Sequence, residues 1–237
     1  MGLKVIFRAV SLALAQIGDP RFTRVLLLGL GLTLALLGAT YAGVFYLVSW
    51  AVGDALTLPL IGEVTWVNDL LGWSSLVLMM GLSVFLMVPV ASAFISFFLE
   101  QIADAVEDRY YPGLPPVPGV PFFDSLRDAA GFLIVILAVN LAALLLYLIF
   151  APLALFIFWG VNGFLLGREY FTLAAMRRVG RDRARQLRRR NMATIWIAGV
   201  LMAVPLTVPI LNLIVPIVGA ATFTHLFHMI TDADSSG

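Results

Sequence analysis

Four long stretches of this chain contain no Asp, Glu, Lys or Arg: residues 25–52, 71–99, 129–167 and 192–230. A helix needs about 20 apolar residues to cross the hydrocarbon core of a bilayer. Every one of the four exceeds that length, so lipid is the solvent most of the surface has to satisfy. Composition agrees. Mean hydropathy is +0.99 and 12% of residues are charged, about half the supply a water-soluble domain uses to cover itself. The fold class expected is an all-α integral membrane protein, and the length suits one membrane domain across residues 1–237.

Proline separates the four stretches into two kinds. The first two have no proline except Pro89 and read as transmembrane helices over 25–52 and 71–99. In "GATYAG", Gly38 with Ala42 and Ala39 with Gly43 place small residues four apart, a pattern that lets helices approach closely. Region 129–167 is cut at Pro152, and region 192–230 carries Pro205, Pro209 and Pro216. A mid-helix proline removes a backbone hydrogen bond and clashes with the preceding turn. Both regions therefore read as Pro-broken helical hairpins, whose halves either cross fully or enter and return from one side. A half-helix that starts inside the membrane presents free N–H groups and the positive end of its dipole. Pro152, Pro209, Asn212, Pro216 and Gly219 are accordingly the candidate hairpin-tip or pore residues.

Charge gives the topology. Nine of the fifteen Lys+Arg lie between Arg168 and Arg190, opposed there only by Glu169 and Asp182. Residues 1–24 hold Lys4, Arg8, Arg21 and Arg24 against Asp19, while 53–70 has three acids and no base. Basic segments stay in the cytoplasm. Two crossings followed by two hairpins keep 1–24, 100–128, 168–191 and the C-terminus all on that side. The basic connector 168–191 is then a topological anchor that contacts anionic headgroups. It has too few interleaved aromatics to suggest nucleic acid. Six acids against Arg109 and Arg127 in 100–128 sit awkwardly with the charge rule, and five of the twelve prolines there read as an extended linker. Ahead of these, residues 1–19 alternate apolar positions with Lys4, Arg8, Ser11 and Gln16. That is an amphipathic helix, lying on the membrane surface or packed on the bundle. No A-x-A-like site there precedes a mature soluble domain, so a cleaved signal peptide is not expected, and "MGLKVI" has no Ser or Thr at position 6 for myristoylation.

Motifs for chemistry are few. Cysteine is absent, and no G-x-x-x-x-G-K-[ST], H-E-x-x-H or G-x-S-x-G occurs. The expectation is a protein that is no enzyme and takes no cofactor or metal. His225 and His228, three apart, read as an interfacial pair. Proton- and ion-coupled carriers keep an ionisable residue at depth, yet 25–52, 71–99 and 129–167 have none, and the buried polar candidates are Asn140, Asn162, Asn212, Thr207 and Thr222. One turn is different. In "IGDPRFTR", residues 17–24, Pro20 precedes Arg21 and Arg24, three apart. Backbone N–H groups and two guanidinium forks could hold an anion there; headgroup anchoring is the plainer alternative.

Taken in order, "DPRFTRVLLLGL" (19–30), "LEQIADAVEDRYYPGLPP" (99–116), "GREYFTLAAMRR" (167–178) and "VPILNLIVPIVGAAT" (208–222) resemble the CysZ-type sulfate permeases, which share a domain with the etoposide-induced membrane proteins. The resemblance implies a bacterial inner-membrane, multi-pass protein with both termini cytoplasmic. It implies two long transmembrane helices, two partly penetrating hairpins, and a homo-oligomer among membrane lipids. It also implies inward movement of sulfate or a related oxyanion for cysteine synthesis, without ATP. The family's sulfate site is the turn before the first long helix, built from backbone amides and two adjacent arginines. Carried over, that set is Gly18, Arg21, Thr23 and Arg24. Arg24 matches the second arginine of the pair, Thr23 stands where the first is usual, and Arg21 lies on the other side of the turn. The alternative in a different class is a non-transporting membrane scaffold or anionic-lipid-interacting protein.

Overall fold

The structure is a computed structural model that describes residues 2–52, 57–58, 62–63, 99–117, 122–208, 211 and 214–235. Most of these are helical. The helices are α1 (Gly2–Ala15), α2 (Pro20–Val52), α3 (99–110), α4 (Phe122–Ile149), α5 (Ala154–Arg190), α6 (Met192–Ala203) and α7 (Val215–Ser235). A two-residue antiparallel pair, Thr57–Leu58 with Gly62–Glu63, lies in the loop between the first two apolar regions. The all-α membrane class holds. Chain proximity defines two compact units, residues 1–27 with 94–237, and residues 28–93.

Three helices among the described residues are long and apolar enough to cross a membrane: Pro20–Thr40, Gly131–Ile149 and Ala151–Arg190. On α4 the large side chains face outward, as lipid requires. Ile134, Leu137, Leu141, Leu144 and Leu148 on α4 are all exposed. At 12 residues, α6 is about 18 Å long, well short of a hydrocarbon core of about 30 Å. The second expected crossing, 71–99, lies outside the described residues except Leu99.

The break expected at Pro152 is present. α4 ends at Ile149, a 3₁₀ turn runs Ala151–Leu153 with Pro152 in its first positions, and α5 starts at Ala154. The far end of α5 departs from the expected boundary. The helix does not stop near Gly167 but continues through the arginines to Arg190, interrupted only at Gly180, whose φ of 74° a side chain would strain. The connector is therefore helix through Arg190, with Asn191 as the turn into α6. Arginine is a good helix former, and a change of charge does not end a helix.

One more expectation is corrected and one open alternative is resolved. Residues 99–110 form a helix, not part of a linker, because Leu99, Ile102, Ala103 and Val106 make a buried apolar stripe; among the described residues of 100–128, those outside helices are 111–117, a turn followed by irregular chain. For α1, the bundle-packed alternative is the one observed. Ile6, Ala9 and Ala13 are buried against α7 and α6, while Leu3, Phe7 and Leu14 stay exposed.

Glycine sets the closest helix approach. A Cβ on Gly199 of α6 would stand 1.9 Å from the Gly163 carbonyl of α5, and one on Gly167 would stand 2.6 Å from the Ile195 carbonyl. Trp196 Nε1 adds a hydrogen bond to the Gly160 carbonyl at 2.9 Å. At "GATYAG" the same test at Gly38 and Gly43 meets nothing within 4 Å among the described residues. Gly199→Ala should therefore destabilise the purified protein by about 1–3 kcal/mol, read as a lowered unfolding midpoint in detergent. Gly160→Ala, with open space at its Cβ, should leave the midpoint unchanged or raise it slightly.

Candidate functional site

The turn between α1 and α2 is built by Gln16 and Asp19. Asp19 caps α2: its Oδ1 accepts from the Arg21 N–H at 2.9 Å, and its carbonyl accepts from Phe22 and Thr23 at 3.0 and 3.2 Å. Pro20 fills the first helical position, where a missing N–H costs nothing. Gln16, fully buried, donates from Nε2 to Asp19 Oδ2 at 3.0 Å and to the Ala105 carbonyl of α3 at 2.9 Å. Burial acts to raise the Asp19 pKa, but the Gln16 and Arg21 N–H bonds outweigh it and hold the carboxyl below its ordinary value. Phe22 and Val25 turn inward, so Arg21 and Arg24 share the exposed face of α2.

Those two arginines differ in their partners. Arg21 Nη1 pairs with Asp108 Oδ2 of α3 at 2.6 Å. Arg24 forms no ion pair among the described residues. Gly18 is exposed with open space at its Cβ, and Thr23 is exposed with its N–H given to Asp19. The four turn residues are thus brought together at one helix mouth.

The hairpin residues sit elsewhere. Pro152 is exposed in the 3₁₀ joint between α4 and α5, Pro216 lies in the first turn of α7, and Gly219 is buried 3.1 Å (Cβ position) from Tyr170 Cε2. Pro209 and Asn212 lie outside the described residues. Asn140 and Asn162 spend their amides on the carbonyl four residues back in their own helices.

The residues that sequence reasoning missed form a buried ionic cluster around Glu107 of α3. Its side chain is 4% exposed. Arg178 of α5 grips both carboxylate oxygens, Nε to Oε1 at 3.0 Å and Nη2 to Oε2. Arg177 stands 3.4 Å from Oε2 and pairs with Asp104. His228 Nε2 of α7 is 2.9 Å from Oε1. Tyr111 stacks on His228, ring centroids 4.2 Å apart, and its hydroxyl is 3.1 Å from His225 Nδ1. Both histidines are buried, so the interfacial reading of this pair is replaced by an internal one. Burial pushes the Tyr111 hydroxyl up to about 12. Burial also acts to raise Glu107, but His228, Arg178 and Arg177 overcome it and hold the carboxyl at about 2. Beside the cluster lies a cavity of about 390 Å³ lined by Asp104, Glu107, Asp108, Tyr111, Arg178 and the 112–117 turn. No group of three His, Asp or Glu among the described residues is placed to hold a metal.

One signal pointed here: a chain of net charge +1 has six acids crowded into 100–128 and nine arginines into 168–190. Opposite charge blocks in an apolar chain have every reason to find each other.

Long apolar helices with exposed large side chains and a proline-jointed hairpin define an α-helical membrane protein. The chain belongs to the family described as Sulfate transporter CysZ/Etoposide-induced protein 2.4, whose model matches residues 9–216. Searches of curated proteins and of solved structures each returned no match.

Removing Glu107 takes the carboxylate partner from Arg178 and His228 in the interior and leaves Arg177 with Asp104 alone. Glu107→Ala should cost about 3–5 kcal/mol of stability, measured by unfolding in detergent. A carboxyl held below its ordinary value of 4.5 binds fewer protons folded than unfolded. Its contribution is thus complete above pH 4.5 and is lost as pH falls through about 2. The wild-type midpoint should decline over that window, and more steeply than that of Glu107→Gln.

Proposed function

We propose that the protein is an anion permease or channel of a bacterial inner membrane, admitting sulfate or a close oxyanion for sulfur assimilation without ATP. The observation that carries this reading is the family match across 9–216 together with the exposed Arg21–Arg24 face at the start of α2. Arg24, with no ion pair among the described residues, supplies the primary charge. Its guanidinium fork fits two oxygens of a tetrahedral anion, and the positive end of the α2 dipole adds to the attraction. Arg21 is the second donor. Homo-oligomeric assembly, cytoplasmic termini and partly penetrating hairpins belong to the same proposal; the shortness of α6 supports the last of these.

The test is uptake of labelled sulfate by the purified protein in liposomes. Uptake above empty vesicles is expected, and uptake equal to empty vesicles sinks the reading. Selective binding of anionic lipid with no anion flux would instead support a scaffold or lipid-interacting protein, the reading motivated by the arginines along the second half of α5. Within the transport reading, Arg24→Ala should weaken sulfate binding about tenfold, the worth of a charge-assisted hydrogen bond, and Arg190→Ala far less. Titration of the purified variants with sulfate checks both.

A further inference from the structure

Two of the donors that an oxyanion would use at this turn, both on Arg21, are already held by carboxylates of the protein itself. The Arg21 N–H goes to Asp19 Oδ1 at 2.9 Å and the Arg21 guanidinium to Asp108 Oδ2 at 2.6 Å. The two carboxylates are held differently. Asp19 is fixed in place: it caps α2 and is gripped by Gln16, itself buried and tied to α3. Asp108 comes from another helix, and Arg21 is its one polar partner among the described residues. Both side chains of this pair are more than half exposed, Arg21 at 54% and Asp108 at 65%.

An exposed pair of this kind is weak because water screens it. Breaking it need not move a helix either. α3 remains docked through Gln16 to the Ala105 carbonyl and through Glu107 to Arg178 and His228. Asp108 also borders the 390 Å³ cavity, so a released side chain has open space beside it. The contact can thus open by side-chain rotation alone.

We propose that Asp108 is an internal competitor for the oxyanion site, occupying Arg21 when no anion is bound and leaving it when an external oxyanion bridges Arg21 and Arg24. This rests on the reading of the 18–24 turn as the anion site. The consequence is a threshold based on charge. A dianion that reaches both arginines replaces one carboxylate contact by two. A monovalent ion such as chloride exchanges one single charge for another and gains little. Asp108 therefore sets selectivity at the mouth, although it contributes no bond to the ligand.

The experiment titrates the purified full chain with sulfate in detergent, comparing wild type, Asp108→Asn, Arg21→Ala and the double variant. Asp108→Asn should tighten sulfate binding about threefold to fivefold, the scale of a released surface pair, and should make chloride a better inhibitor of that binding. In the Arg21→Ala background the same change should have no effect, because competition acts through Arg21. Unchanged or weakened binding by Asp108→Asn overturns the proposal. So does equal tightening with and without Arg21, which would be a general field effect of removing one negative charge. An absence of sulfate binding in all four proteins overturns the oxyanion reading itself, and the competitor role with it.

Discussion

A carboxylate at 4% exposure has to be neutralised, and that requirement organises this molecule. Glu107 draws Arg178 and Arg177 from α5 and His228 from α7 onto one side of α3. An ionised group in so dry a place is tolerated only with its oxygens filled, and here both are. Three helices far apart in sequence are thereby fixed in mutual register at one point. Around it the packing is apolar and non-directional: Ile102, Val106, Phe171, Leu226 and Phe227 belong to one buried cluster with Ile6 and Phe22. Burial supplies the attraction between these helices, and the ion pairs select one arrangement of them.

Away from that point a different logic holds. Lipid is as apolar as leucine, so little hydrophobic force draws membrane helices together, and association depends on close fit. α5 and α6 meet this demand with Gly163, Gly167 and Gly199, where backbone lies against backbone. The Pro152 joint then needs no special fit, since a proline cannot continue α4 as a regular helix. The protein thus combines one end held by buried charge with a membrane portion held by shape.

Much of this was legible. The apolar stretches fixed the class, Pro152 marked the joint between α4 and α5, and Pro20 marked the turn before α2. The misreadings share a cause: one-dimensional signals do not name their partners. The acids of 99–110 weakened the topology argument until they were seen to answer Arg21, Arg177 and Arg178 on other helices. The arginines suggested a surface connector because charge in an apolar chain normally marks the water boundary; Arg177, 7% exposed, breaks that rule by bringing a partner inside. "GATYAG" and "GFLLG" look alike as small-residue patterns, yet among the described residues the second alone is matched by a glycine, Gly199, more than thirty residues on. For α1 both faces are apolar enough to be buried, so amphipathicity could not tell a protein partner from a lipid one.

The same geometry bears on how a mouth and a membrane hairpin could be connected in one small chain. Asp108 and Glu107 are neighbours on α3, yet one meets α2 through Arg21 and the other meets α5 and α7. A step of one residue turns a helix by about 100°, which is enough to send adjacent carboxylates to different helices. α3 is therefore a strut with an exposed, weak contact on one side and a buried, strong one on the other. Any anion that changes the first contact acts on the element that carries the second. The asymmetry in burial says which side yields: the exposed pair can open while the Glu107 cluster stays shut. Occupancy at the turn can then alter the charge at the mouth without disturbing the register of the helices behind it.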